Sequence, residues 1–330
     1  MREGVWVAGK ETKIFDPLDA TTASGGSEVL DASVVKRGDR WWMFLAGQEH
    51  GYGAPQLYSA SLAAGAPLGV QGWTLTRRAT GELKPLAPPS ATGRWDSGGG
   101  RHCPAFVKGW DPHRQRWVER IYYAGAAEHI GGPYTIGYLE WEGEGWTPQE
   151  KAVFAGVEQW EHGSVFEPNL IFHDGRWKMW YVAGSNAEDY LAHGYAESAD
   201  GREWTVRQLF APPEMRMYDF CVREREGGFD AVYARAWLKA GDPPPETGLW
   251  HCRAKSPSGV LAEWGEAQQL MGAENRGWHA GPWKPSVACE PEDAGQVLVF
   301  FDGMKRIEGG GPFPFVFTQG CLEVEAPGGC

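Results

Sequence analysis

Carboxylates, imidazoles, a thiol and an amine stand at equivalent points of five similar segments in this 330-residue chain. One set opens each segment: Asp31, Cys103, Glu167, Asp219 and Lys284. A second set follows the aromatic run that comes next: Gln48-Glu49-His50, Glu128-His129, Asn186 to Tyr190, Arg235 and Asp302. Carboxylates gathered from separate segments can divide general-acid and general-base work, provided burial or a like charge keeps one of them protonated. Asp219 is a candidate for that like charge beside Glu167, and a turn acid capped by backbone amides is its other reading. Neutral imidazoles among carboxylates are also ligands for a divalent metal. His50, His102, His129 and His162 fall near these points, although no pair has a helical ligand spacing such as H-x-x-x-H.

The elements that position these residues are β-hairpins. The clearest is Leu170-Ile171-Phe172, the turn Asp174-Gly175, and Trp177 to Gly184. Asp-Gly between two apolar, β-branched or aromatic runs is a strong hairpin signal. Glu167 precedes Pro168, which biases it toward an extended backbone. Related copies begin at Asp31, Cys103, Asp219 and Lys284, each with its own turn and aromatic return strand. A third strand of small or polar residues follows each hairpin, then in four of the five copies a tryptophan: Trp73, Trp146, Trp204 and Trp264. The approach repeats as well, as Trp95-Asp96-Ser97-Gly98 and Trp160-Glu161-His162-Gly163. Five repeats of about 66 residues, each with room for four strands, predict an all-β fold: a five-bladed β-propeller of four-stranded antiparallel blades around a central channel. The expected organisation is one domain over residues 1–330. Its inner strands start near 31, 103, 167, 219 and 284, and the N-terminal segment Val5 to Phe15 closes the last blade. Gly65 to Gly100, rich in Pro, Gly and Ala, reads as a long connection between blades.

In such a ring both residue sets meet at one mouth of the channel. Composition narrows what they act on. A net charge of −12 argues against nucleic acid, and no apolar run has membrane-spanning or signal-peptide length. The six cysteines are scattered without a C-x-x-C, which suggests neither a zinc ribbon nor a disulfide framework. The expected location is cytoplasmic. No cofactor is expected, with a divalent metal on the channel axis as the exception.

Asp31-Ala32-Ser33-Val34-Val35, with its glycine turn and aromatic strand, resembles the first-blade motif of glycoside hydrolase family 43 and its five-bladed relatives, such as families 32, 62, 68 and 130. Glu167-Pro168 with its hairpin resembles the third-blade acid motif. The resemblance implies a carbohydrate substrate, with Asp31 as general base and Glu167 as general acid. Cys103 stands where the family has an aspartate that orients the acid, and Glu167 adjoins its proline where the family has one residue between them, which makes Glu161 the fallback acid. His50, His102, Cys103, His129, Tyr190, Arg235, Lys284 and Asp302 are then the expected substrate contacts, with Tyr52, Tyr190 and Trp237 suited to stacking on sugar faces. A metal-assisted lyase or isomerase and a non-catalytic carbohydrate-binding propeller are the alternatives. Because a neutral thiol cannot replace a carboxylate, Cys103 predicts weak or absent turnover of ordinary arabinosides, xylosides and fructosides.

Overall fold

The computed structural model describes residues 5–16, 28–48, 54–185, 190–236, 243–274, 277–290, 296–306 and 315–326. The expected alternation of apolar runs and glycine turns resolves into five antiparallel sheets. Blade one runs outward as Glu28–Arg37, Arg40–Gln48, Gln56–Ser61 and Thr74–Leu75. Blade two is Gly100–Asp111, Arg116–Ala126 and Thr135–Trp141, with its outer position split between Trp146–Pro148 and Phe154–Ala155. Blade three is Val165–His173, Arg176–Ser185, Tyr190–Ser198 and Trp204–Ala211. Blade four is Met217–Arg225, Gly228–Arg235, Gly248–Ala254 and Gln268–Gly272. Blade five is Pro282–Ala288, Gln296–Arg306 and Phe315–Glu325, and the N-terminal strand Val7–Phe15 pairs with Phe315–Glu325 as its outer strand. The all-β, five-bladed expectation holds. The segment Gly65 to Gly100 is not only a connection, because the outer strand of blade one lies inside it.

Aromatic side chains fill each interface between neighbouring blades. Phe44 stacks on Phe106 at 5.6 Å, and Trp177 Nε1 donates to the Trp110 carbonyl at 3.1 Å. Trp180 meets Phe220 at 6.0 Å, Tyr218 meets Trp283 at 4.5 Å, and Trp73 meets Phe300 edge-on at 5.8 Å. Rings this large bury much apolar area at low rotamer cost, which is how blades with narrow inner strands hold together. The N-terminal segment bridges two blades: Trp6 stacks on His251 at 3.9 Å, and Glu11 accepts from His279 at 2.7 Å.

Every inner strand carries a β-bulge at the same point. In blade one, Leu30 pairs with Ala46 and Ser33 with Phe44, so Asp31 and Ala32 together oppose Leu45 alone. The same two-against-one step sets Cys103-Pro104 against Tyr123, Glu167-Pro168 against Tyr181, Asp219-Phe220 against Tyr233, and Lys284-Pro285 against Phe301. The first residue of each bulge is left-handed, with φ of 59°, 56°, 51°, 51° and 41° in blade order. The extended backbone expected at Glu167 is therefore corrected: the ladder's bulge overrides the proline's bias. A bulge is also where proline does least harm, since the residue it occupies is the unpaired one.

The approach motif braces three of these bulges. Asp96 accepts from the Tyr123 hydroxyl at 2.8 Å and Arg101 Nε at 2.8 Å, and Glu161 accepts from the Tyr181 hydroxyl at 2.6 Å. The third copy, Trp278-His279-Ala280-Gly281, was not apparent as a repeat; there Trp278 stacks on Phe301 at 5.8 Å. Trp95 and Trp278 each lie over one glycine of the second strand and one of the third, and Trp160 lies over Gly194 of the third. A Cβ on Gly137 would come 2.3 Å from the Trp95 ring. We expect Gly137→Ala to cost roughly 1–3 kcal/mol by overpacking, read as a lower denaturant midpoint in equilibrium unfolding.

Candidate active site

The five bulges aim one side chain per blade at the channel axis. All five are buried: Asp31, Cys103, Glu167, Asp219 and Lys284 are each at most 5% exposed. Left-handed backbone at a non-glycine residue costs roughly 1–2 kcal/mol. A fold that takes this conformation five times at equivalent points holds these side chains inward against that cost, a pattern that marks functional sites.

Lys284 organises the cluster. Its Nζ donates to Glu167 Oε2 at 2.7 Å and to Asp219 Oδ1 at 3.1 Å. Burial alone would raise the Glu167 pKa, but the Lys284 ammonium and hydrogen bonds from Asp219 and Lys284 hold it below the ordinary carboxylate range. Burial and the Glu167 charge push Asp219 well above that range. The two carboxylates in turn keep Lys284 protonated although burial opposes its charge. At neutral pH this part of the site is an ion pair, Glu167 with Lys284, next to a protonated Asp219.

Asp31 is held from both sides. Its backbone N–H donates to Asp302 Oδ2 at 2.8 Å, and its Oδ2 accepts the Cys103 N–H at 2.9 Å. Burial and the Glu167 charge raise its pKa to about 7. Burial likewise raises Asp302 well above its usual value. The Cys103 thiol lies against both the Asp31 and the Glu167 carboxyl groups, and burial keeps it protonated. His102 Nδ1 is 2.8 Å from Cys103 Sγ, and burial lowers the His102 pKa to about 4, leaving a neutral imidazole. One donor atom each from Asp31, His102 and Cys103 lie within 4.8 Å of one another, an arrangement in which a metal ion could be held.

The other expected contacts are not among the five bulge residues. His129 and His162 are exposed, as is Glu128. Arg235 is half-buried with its guanidinium 4.6 Å from the centroid of the Trp250 ring. His50, Tyr52, Trp237 and the side chain of Tyr190 fall outside the described residues. Glu161, the fallback acid, is fully buried in blade three, taking hydrogen bonds from Tyr181, Arg207 and two backbone amides. It braces the bulge and takes no place among the five. Sequence reading missed His193, a buried third-strand residue whose Nε2 accepts the Phe220 N–H at 3.4 Å, beside the Asp219 bulge. Burial lowers its pKa to about 3. The available signal was a histidine amid small residues in an otherwise buried strand.

Two of these groups keep a buried polar atom without a hydrogen-bond partner in the protein: Asp302 Oδ1 and His102 Nε2. Such atoms are costly unless a ligand or solvent meets them.

Cysteine usage departs from expectation at one position, since Cys289 is disulfide-bonded. Cys103, Cys221, Cys252 and Cys321 are free thiols. Among the described residues no helix is long and apolar enough to cross a membrane.

No protein-family model and no curated protein matches the chain. Solved structures do. The catalytic domain of a family 62 α-L-arabinofuranosidase from Coprinopsis cinerea superposes with a TM-score of 0.64 at 12% identity, covering 98% of this chain and 97% of that one. A thermostable family 43 glycoside hydrolase gives 0.62 at 14% identity, covering 93% and 92%. A family 117 glycoside hydrolase produced by the marine bacterium Zobellia galactanivorans gives 0.61 at 14%, covering 98% and 91%. The chain thus shares the five-bladed propeller of family 43, 62 and 117 glycosidases over nearly its whole length.

Asp31 gives a stability test. An unfolded aspartate titrates near 3.9, whereas the folded one titrates near 7. A raised folded pKa contributes stability below the unfolded value, and that contribution is lost as pH rises toward 7. Asp31→Asn removes the loss. We expect its thermal midpoint to exceed wild type by roughly 2–4 °C at pH 8, with the gap closing by pH 4.

Proposed function

We propose that this chain is a glycoside hydrolase-like enzyme acting on a neutral sugar or glycoside in the central channel, through the carboxyl groups of Asp31 and Glu167. The observation that carries the reading is their asymmetry around one thiol. Asp31, with its pKa raised to about 7, holds a proton near neutral pH. Glu167, paired with Lys284, is ionised. Two carboxyl groups pushed apart in this way are the signature of an acid/base pair. The protein's electrostatics favour Asp31 as the group that protonates a leaving oxygen and Glu167 as the carboxylate that activates water or attacks. This reverses the roles that the family resemblance implies. Asp219 donates to Glu167 and Lys284 fixes it, so both are positioning residues. The unpartnered atoms of Asp302 and His102 suit a polyhydroxyl ligand, which offers donors and acceptors on the same group. The likeness to arabinofuranosidases and family 43 enzymes supports a glycoside as the substrate class.

A metal-assisted lyase or isomerase is the second reading. The three donors from Asp31, His102 and Cys103 favour it.

A panel of aryl glycosides and oligosaccharides, assayed with the purified protein, identifies the substrate. On that substrate Asp31→Asn and Glu167→Gln should each lower kcat by roughly 10²–10⁴-fold while unfolding cooperatively. Lys284→Met should move the acidic limb of the kcat/KM profile to higher pH, because losing the ammonium raises the Glu167 pKa. Full activity in both carboxyl variants, or an unmoved acidic limb in Lys284→Met, contradicts these roles.

A further inference from the structure

Cys103 transfers no proton in the acid/base reading, yet its thiol lies against both carboxyl groups. It occupies one of the five strained bulge positions, is 1% exposed, and touches the two carboxyl groups proposed to do the chemistry. A small apolar residue would fill the same space at the same backbone cost. What distinguishes a thiol is its affinity for borderline-soft metal ions, and its immediate neighbours are also ligands. His102 brings a ring nitrogen to 2.8 Å of the sulfur, and an Asp31 oxygen completes a group spanning no more than 4.8 Å. Apart from the contact with sulfur the imidazole has no hydrogen-bond partner in the protein, since its other nitrogen, Nε2, is buried and unpaired. The ring is set edge-on against Tyr134 at 4.5 Å, which fixes its orientation.

We propose that Asp31, His102 and Cys103 form a zinc site, and that zinc binding there switches the hydrolytic site off. Tetrahedral zinc with bonds of about 2.0–2.3 Å holds its ligand atoms roughly 3.5 Å apart, so loading opens the 2.8 Å His102–Cys103 contact and closes the wider pairs. Three protein ligands would leave a fourth tetrahedral position for water or another ligand. Thiolate and imidazole select zinc over calcium or magnesium, which require oxygen ligands. Loading replaces the Cys103 S–H bond with a sulfur–zinc bond, and that proton leaves to solvent. The ion also takes the Asp31 carboxyl group as a ligand, so that group is no longer free to reach a substrate. This second half rests on the hydrolase reading; the binding site itself does not.

The two halves are read separately. Equilibrium dialysis and calorimetry with Zn²⁺ on the full chain should give one tight site per protein, while Ca²⁺ and Mg²⁺ at millimolar concentration leave it unoccupied. Co²⁺ in its place should show a thiolate-to-metal charge-transfer band. Cys103→Ala and, as a second variant, His102→Gln should each weaken zinc binding by roughly 100-fold or more and abolish or shift the cobalt band. Circular dichroism and thermal unfolding check that each variant is folded. Absence of a tight site in wild type, equal affinity for calcium, or unchanged affinity in both variants overturns the site. Given a glycoside that the metal-free protein turns over, zinc should inhibit with a midpoint matching its binding constant. Zinc binding without inhibition, or with activation, overturns the switch and leaves the site standing. Zinc binding by a protein that turns over no glycoside at all counts against the hydrolase reading instead.

Discussion

A single buried ammonium sets the state of this channel. Lys284 comes from the last blade, Glu167 from the third and Asp219 from the fourth, and hydrogen bonds of 2.7 and 3.1 Å join them. A lysine this deeply buried is unfavourable by itself, and removing one partner of such a pair typically costs 3–5 kcal/mol. The ion pair therefore ties three blades together while dictating which carboxyl group ionises first. Burial first, and then the charge on Glu167, push Asp31, Asp219 and Asp302 toward the neutral form, with Asp31 acting on Asp302 as well. Of the three, Asp31, with its pKa raised to about 7, is the one that exchanges its proton near neutral pH.

The bulges make this clustering possible. On a regular strand alternate side chains face the same way, and the rest of each inner strand follows that rule. The left-handed residue breaks it once per blade, at one height, and turns a side chain to the axis. The opposing residue is large in every blade: Leu45, Tyr123, Tyr181, Tyr233 and Phe301. Behind two of them a buried acid grips the tyrosine hydroxyl, Asp96 on Tyr123 and Glu161 on Tyr181. Backbone strain at the axis is thus opposed by hydrogen bonds one layer out.

The legible part of this molecule was the part written locally. Alternating apolar runs, glycine turns and the recurring tryptophans mark the blades, so Asp31, Cys103, Glu167, Asp219 and Lys284 could be aligned before any coordinates. Their interactions were not legible, because the partners lie far apart in the chain: Lys284 and Glu167 are separated by 117 positions, Asp31 and Asp302 by 271. The proline rule failed at Glu167 because a sheet ladder with one extra residue outweighs a nearest-neighbour preference. Glu161 resembled a catalytic fallback in sequence, yet a Trp-acid pair that braces a tyrosine looks the same on paper as one that meets a ligand. His193 escaped notice because nothing in its own strand reports the blade packed against it.

The central claim is that Glu167 is the ionised and Asp31 the proton-bearing carboxyl group of the free protein. Carboxyl-carbon NMR of protein labelled at Asp and Glu side chains, assigned with Asp31→Asn and Glu167→Gln, follows both groups directly between pH 4 and pH 9. The account predicts a Glu167 signal already in its ionised position at pH 5 and an Asp31 signal that titrates near 7. An Asp31 signal ionised throughout, with Glu167 titrating near neutrality, would contradict it.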